Sequence, residues 1–96
     1  MLTSKERSIL KSKCNTLKPL VNIGKGGLTE NIATEIETVL FHNEIAKISV
    51  LKSCTEKAND LMTAVCEKIG SEPIASIGNK FVVYKRSDKK EIEHLL

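Results

Sequence analysis

Gly24, Lys25, Gly26 and Gly27 spell a G-x-x-G run in which a lysine sits among glycines. A short apolar stretch, Val21-Asn22-Ile23, precedes it, and Thr29 follows as the N-cap of a helical pattern. Glycines permit positive backbone torsions and let the main chain approach a ligand closely, while the first turn of the next helix leaves amide N–H groups without partners. The chemistry this suits is capture of a phosphate. A glycine-rich strand-to-helix connection also serves as an ordinary tight turn, so the loop alone leaves both readings open. Glu30 favours the helix dipole from the first turn, but its carboxylate competes with an incoming anion at the same helix end.

Other chemistry finds less material. The lysine falls inside the glycines and no G-K-[ST] follows, so the run is not a nucleoside-triphosphate P-loop. His42 and His94 have no Ser, Cys or Asp at a telling spacing and read as surface residues near helix ends. Cys14, Cys54 and Cys66 are odd in number and widely spaced, which indicates neither a disulfide framework nor a zinc module; reduced thiols, no metal and no cofactor are expected. The carboxylates of Glu30, Glu35, Glu37 and Glu44 are read as the solvated face of an amphipathic helix. No enzyme is expected.

The chain has 96 residues, 41% of them hydrophobic, which fits one domain over residues 1–96 with a charged tail at residues 87–96. A domain of this size buries roughly 60 to 70% of its unfolded surface. The net charge of +3 is unevenly spread. Residues 1–25 hold six bases (Lys5, Arg7, Lys11, Lys13, Lys18, Lys25) and one acid, Glu6, whereas residues 26–44 hold four acids and no Lys or Arg. The basic surplus thus ends in the glycine loop, as expected for a polyanion partner, although basic segments also serve as solvated faces. No apolar signal-peptide core and no long apolar span is found, so a cytoplasmic protein without membrane contact is expected.

The elements that must position the loop follow from spacing. Thr3 and Glu6 form a capping-box pattern, and Ile9, Leu10, Cys14 and Leu17 recur at helical intervals, predicting a helix over residues 4–15 with Arg7 and Lys11 side by side on its other surface. Lys18-Pro19 ends it, and residues 20–23 read as a strand. A second helix over residues 30–42 carries Ile32, Ile36, Val39 and Leu40 on one face. A strand over residues 45–51 alternates Ile48 and Val50 with Lys47 and Ser49. A third helix over residues 55–69 has the stripe Ala58, Leu61, Met62, Val65 and Ile69 and stops at Gly70. Met62 and Cys66 lie on or near that stripe and read as packing residues. Pro73 opens a strand over residues 74–77, and Gly78-Asn79 turns it into an antiparallel strand over residues 80–85. That last strand is apolar on both sides, as an interior strand would be. The order α-β-α-β-α-β-β describes an α/β fold, a two-layer sandwich of a mixed four-stranded sheet and three helices.

Leu2-Thr3, Lys5, Arg7, Leu17-Lys18-Pro19 through Ile23-Gly24-Lys25, Gly27-Leu28-Thr29, Lys47, and Ile77-Gly78 with Val82-Val83-Tyr84-Lys85 together resemble the YhbY family. This is the bacterial stand-alone form of the CRM (chloroplast RNA splicing and ribosome maturation) RNA-binding domain, and the likeness spans nearly the whole chain. The resemblance implies a fold similar to the C-terminal domain of translation initiation factor three, with a G-x-x-G loop reminiscent of KH domains. It implies binding of structured ribosomal RNA during maturation of the large ribosomal subunit. The RNA-contacting loop would fall on Gly24, Lys25, Gly26 and Gly27, and a basic surface on Arg7, Lys11, Lys18, Lys85 and Arg86. Two departures stand out: Asn79 occupies a hairpin position that is usually basic, and Ala46 replaces a larger aliphatic residue.

The resulting expectation is a monomeric RNA-binding protein that recognises folded RNA through its backbone. Only Phe41, Phe81 and Tyr84 are aromatic, so base stacking on a sheet is not expected to dominate. The rival reading is a protein-interaction module that docks an acidic partner on the basic first helix.

Overall fold

The computed structural model describes residues 3–14 and 17–86. Helix α1 spans Ser4–Cys14 and starts with a reciprocal cap: the Thr3 amide donates to Glu6 Oε1 at 3.0 Å, and the Glu6 amide donates to Thr3 Oγ1 at 3.1 Å. Strand β1 (Val21–Ile23), helix α2 (Glu30–Asn43), strand β2 (Ile45–Val50), helix α3 (Ala58–Ile69) and strands β3 (Glu72–Ile77) and β4 (Lys80–Tyr84) follow. This is the order expected from the spacing of apolar residues. The reading of residues 87–96 as a charged tail lies outside the described residues.

The strands form one mixed sheet in the order β1-β2-β4-β3. β1 and β2 are parallel, joined through α2, while β4 runs antiparallel to both β2 and β3. Each face of the sheet carries a buried cluster. On one, Ile23, Ile48, Phe81 and Val83 pack against Ile36 and Leu40 of α2 and Leu61 and Val65 of α3. On the other, Leu10 of α1 packs against Ile45, Ile74, Val82 and Tyr84. The sandwich of sheet with α2 and α3 is therefore completed by α1 on the opposite face. Each large apolar side chain so enclosed contributes about 1.5–3 kcal/mol. This double burial explains why β4 is apolar on both sides.

β1 and β3 are the edge strands. β3 carries Pro73, whose missing N–H an edge tolerates. Pro73 pairs with Val83 and Ala75 with Val82, so Ile74 is the inserted residue of a bulge. The extra residue places Ile74 and Ala75 together against the α1 face.

Two expectations need correction. Glu44 is not part of the solvated face of α2. The helix ends at Asn43, and Glu44 takes the left-handed conformation (φ 65°), with its side chain wholly buried. Its amide donates to Leu40 O at 2.8 Å and its carbonyl accepts from the Lys85 amide at 2.9 Å, so the residue turns α2 directly into β2. The third helix also starts three residues later than the spacing suggests, at Ala58, because the Cys54 amide donates to Leu51 O and closes a turn first.

Candidate nucleic-acid interface

The glycine loop continues directly from β1, which is held to β2 by the Leu51 amide donating to Ile23 O at 2.8 Å. The Gly27 amide donates back to Gly24 O at 2.9 Å, closing a tight turn with Lys25 and Gly26 at its exposed tip. Among the described residues, the amides of Lys25 and Gly26 have no internal acceptor. Gly27 is buried and takes φ +66°, a conformation that favours glycine. Gly26 is different: a Cβ there would meet only Thr29 Cγ2, at an ordinary 3.5 Å. The fold thus favours glycine at position 27 and leaves position 26 open on the side a ligand would approach.

Downstream, Thr29 caps α2 as expected, its Oγ1 accepting from the Ile32 amide at 3.2 Å. That bond serves the third residue of the helix. The N–H groups of Glu30 and Asn31 still point out of the helix end beside the loop. The carboxylate of Glu30 does not stand in front of them uncompensated, because Lys68 Nζ reaches it across from α3 at 2.6 Å. A second acid does stand at the loop: Glu56 Oε1 lies against Gly27, where a Cβ would come within 2.8 Å of it.

The turn after β2 is brought alongside. A Cβ on Gly24 would sit 3.4 Å from Ser53 Oγ and 3.6 Å from Leu51 Cδ1. The hairpin between β3 and β4 closes the same end, with Asn79 O accepting from the Val50 amide at 2.7 Å and Asn79 Nδ2 donating to Val50 O at 3.1 Å. Asn79 therefore ties the hairpin to the end of β2. Between the hairpin and the start of α3 lies a depression of about 700 Å³ bordered by Lys52, Lys57, Ser76 and Asn79. Lys52 and Lys57 are exposed. Neither was singled out by the sequence. The available signal was topological, because a β1-α2-β2 unit with parallel neighbours sets the C-terminal ends of both strands side by side, and the loops after them share one site.

The remaining basic candidates are dispersed. Arg7 Nη1 donates to Pro73 O at 2.9 Å and Nη2 lies 4.0 Å from Glu72 Oε2, so Arg7 fastens α1 to β3. Lys11 is exposed on α1, and Lys18 is exposed on the segment entering β1. Lys85 Nζ donates to Ile69 O at 3.0 Å and caps the C-terminal end of α3. Arg86 is exposed and, with Lys85 and Phe41, borders a groove of about 390 Å³. This groove lies at the far end of the sheet, beside Ile45, while the glycine loop lies beside Val50. At ~3.3 Å per strand residue, the two ends are separated by about 17 Å. The nine expected residues thus do not form one cluster: the loop stands with Lys52 and Lys57, and Lys85 and Arg86 stand at the opposite end.

Among the described residues, no group of three or more His, Cys, Asp and Glu side chains could hold a metal, and no helix is long and apolar enough to cross a membrane. Cys54 and Cys66 are free thiols, and burial pushes the Cys66 thiol above its ordinary value.

Comparison with known proteins gives consistent matches over this whole region. The family model described as the CRS1 / YhbY (CRM) domain matches residues 2–85. A Bacillus subtilis (strain 168) protein named "Probable RNA-binding protein YqeI" is 39% identical over 94 residues, covering 97% of this chain and 98% of the relative. A Haemophilus influenzae protein named "RNA-binding protein" is 30% identical over 92 residues, covering 96% and 93%. The solution structure of SAV1595 from Staphylococcus aureus, described as a candidate RNA-binding protein, superposes with a TM-score of 0.78 at 32% identity and covers 95% of both chains.

Proposed function

Because the chain belongs to the CRS1 / YhbY (CRM) domain family, we propose that it binds RNA, without catalysis, and that its target is structured ribosomal RNA in precursors of the large ribosomal subunit. The observation that carries the reading is the turn at residues 24–27. It presents the Lys25 and Gly26 amides at an exposed tip, next to the open start of α2.

A phosphate seated there accepts from the loop amides and from the first-turn N–H groups of α2, and the dipole of α2 favours its charge. Lys25 adds a mobile ammonium, and Lys52 brings a second from the neighbouring turn. The bond from Lys68 to Glu30 supports the same site by neutralising the one carboxylate in the first turn of α2. Lys11 and Lys18 steer neighbouring phosphates toward the loop. The low aromatic content favours recognition of RNA shape and backbone over stacking of a single strand.

Affinity for transcribed large-subunit ribosomal RNA, measured across a salt series, tests this. Each phosphate neutralised adds a slope of about 0.7 to 0.9 log units. Lys25→Asp should weaken binding while the melting curve stays in place. Undiminished binding by that variant would falsify the loop assignment. In cells, the protein should sediment with immature large-subunit particles, and its confinement to the free fraction would count against the ribosomal target.

A further inference from the structure

Helix α1 covers only half of its face of the sheet. The cross-strand register sets Asn22 beside Ser49, Ser49 beside Lys80, and Lys80 beside Ile77. Asn22 lies opposite Val21 and Ile23, which face α2 and α3, so this row shares the face of Val82 and Tyr84 that α1 covers farther along. It lies beyond the α1 cluster: Asn22 is exposed, Ile77 is 62% exposed, and Ser49 and Lys80 are partly exposed. At ~4.8 Å per strand, the row runs about 14 Å across the sheet. Asn22 precedes Gly24 by two residues, so the row begins about 7 Å from the glycine loop.

The composition of the row is selective. Lys80 contributes a cation, and no carboxylate stands in it or in the next row, where Lys47 lies beside Val82. Lys47 Nζ donates to Leu17 O at 3.3 Å and so fixes the segment that borders the open area. Asn22 and Ser49 supply both donors and acceptors on a flat backbone. Ile77 and Leu51, exposed at the margin, supply apolar surface.

Resting on the reading that the loop holds an RNA phosphate, we propose that this uncovered half of the sheet is a second part of the RNA site. The nucleotides that follow the loop-bound phosphate lie across it. Lys80 neutralises the next phosphate, Asn22 and Ser49 hydrogen-bond the ribose 2′-hydroxyl and base edges, and Ile77 supports a base at the margin. The occupant is RNA because the open row carries the Lys80 cation, holds no carboxylate among the described residues and leads into the loop. Unpaired nucleotides fit it, since a base must lie open for side chains to reach its edge.

The test uses the full chain and transcribed large-subunit ribosomal RNA. Lys80→Ala should lower affinity and reduce the salt slope by about 0.7 to 0.9. The Asn22→Ala, Ser49→Ala pair should lower affinity at least several-fold with the slope unchanged. Ultraviolet crosslinking of the unmodified protein to thiouridine-substituted RNA gives an independent readout and should mark Asn22, Lys80 or Ile77. If these variants bind like the parent chain, Lys25→Asp has lost binding and no crosslink reaches the row, the sheet proposal is wrong and the loop reading survives. An acidic protein as the true occupant would produce that same RNA result. If the parent chain binds no RNA, both fall together.

Discussion

The carboxylate of Glu56 packs against Gly27, so near that a Cβ on the glycine would stand 2.8 Å from Oε1. An acid from the β2–α3 connection thus borders the turn proposed to hold a phosphate, and it opposes the ligand. Glu56→Gln should therefore raise affinity for ribosomal RNA. A gain of about 1.5- to 5-fold is expected, the range of an exposed charge contact worth about 0.2–1 kcal/mol, and it should shrink at high salt. Fluorescence anisotropy over a salt series checks it; equal affinities at low salt would remove Glu56 from the site.

The glycines of the loop should separate by function. Gly27→Ala forces a side chain into a left-handed backbone and onto Glu56, and should cost about 1–2 kcal/mol of stability in urea unfolding. Gly26→Ala meets ordinary space and should unfold like the parent, while the added methyl group at the turn's tip weakens RNA binding. A stability loss at Gly26 equal to that at Gly27 would contradict the described turn.

Lys68 lies on α3, in a different element from the loop, yet it should influence RNA binding through Glu30. Lys68→Ala releases the Glu30 carboxylate at the start of α2 and should lower affinity by about 1.5- to 5-fold, again the scale of an exposed pair. Adding Glu30→Gln to that variant should restore the loss. Failure of the second change to restore binding would mean that Lys68 meets the RNA itself.

Arg7 should behave as a fastener of the fold. Its guanidinium joins α1 to the Pro73 carbonyl, and a hydrogen bond from a charged donor contributes about 1.5–3 kcal/mol, with the 4.0 Å approach to Glu72 adding little. Arg7→Ala should lower the unfolding free energy on that scale. RNA affinity measured well below the melting temperature should change less than it does for Lys25→Asp.

Acid should loosen the start of α1. The Thr3 amide, and then its hydroxyl, hold the Glu6 carboxyl below its ordinary value. Because the folded value is the lower one, the cap's contribution is complete above the ordinary carboxylate value and disappears as pH falls through the lowered one. Nuclear magnetic resonance titration of the Glu6 carboxyl should give that lowered value, and amide exchange at Arg7 should quicken through the same interval. Thr3→Ala removes the hydroxyl but keeps the amide, so it should return the titration only part of the way to the ordinary value.

What could be read in the residues, and what could not, divides by the range of the interaction. Thr29 as a cap, Gly27 as a turn residue, the Thr3 and Glu6 box and the two-sided apolar pattern of β4 are local features, and each appears where spacing placed it. Glu44 was misjudged as surface charge, because a turn between α2 and β2 buries it, and the distant partners of Arg7 on β3 and of Lys85 at the end of α3 were equally invisible to spacing. A helical period assigns a face, but it does not reveal which carbonyl a long side chain reaches. The neighbours of the loop, Lys52 and Glu56, were legible only through the parallel pairing of β1 with β2.

The margins of the sheet have a consequence for life in a crowded cell. Strand addition by a second chain needs an uninterrupted rank of free amides and carbonyls. One edge here is a strand of three residues, and the other is broken by Pro73 and the bulge at Ile74. Neither edge gives a template on which fibrillar stacking or edge-to-edge pairing could propagate. The short edge and the broken edge thereby keep the folded sheet from recruiting other chains by strand addition.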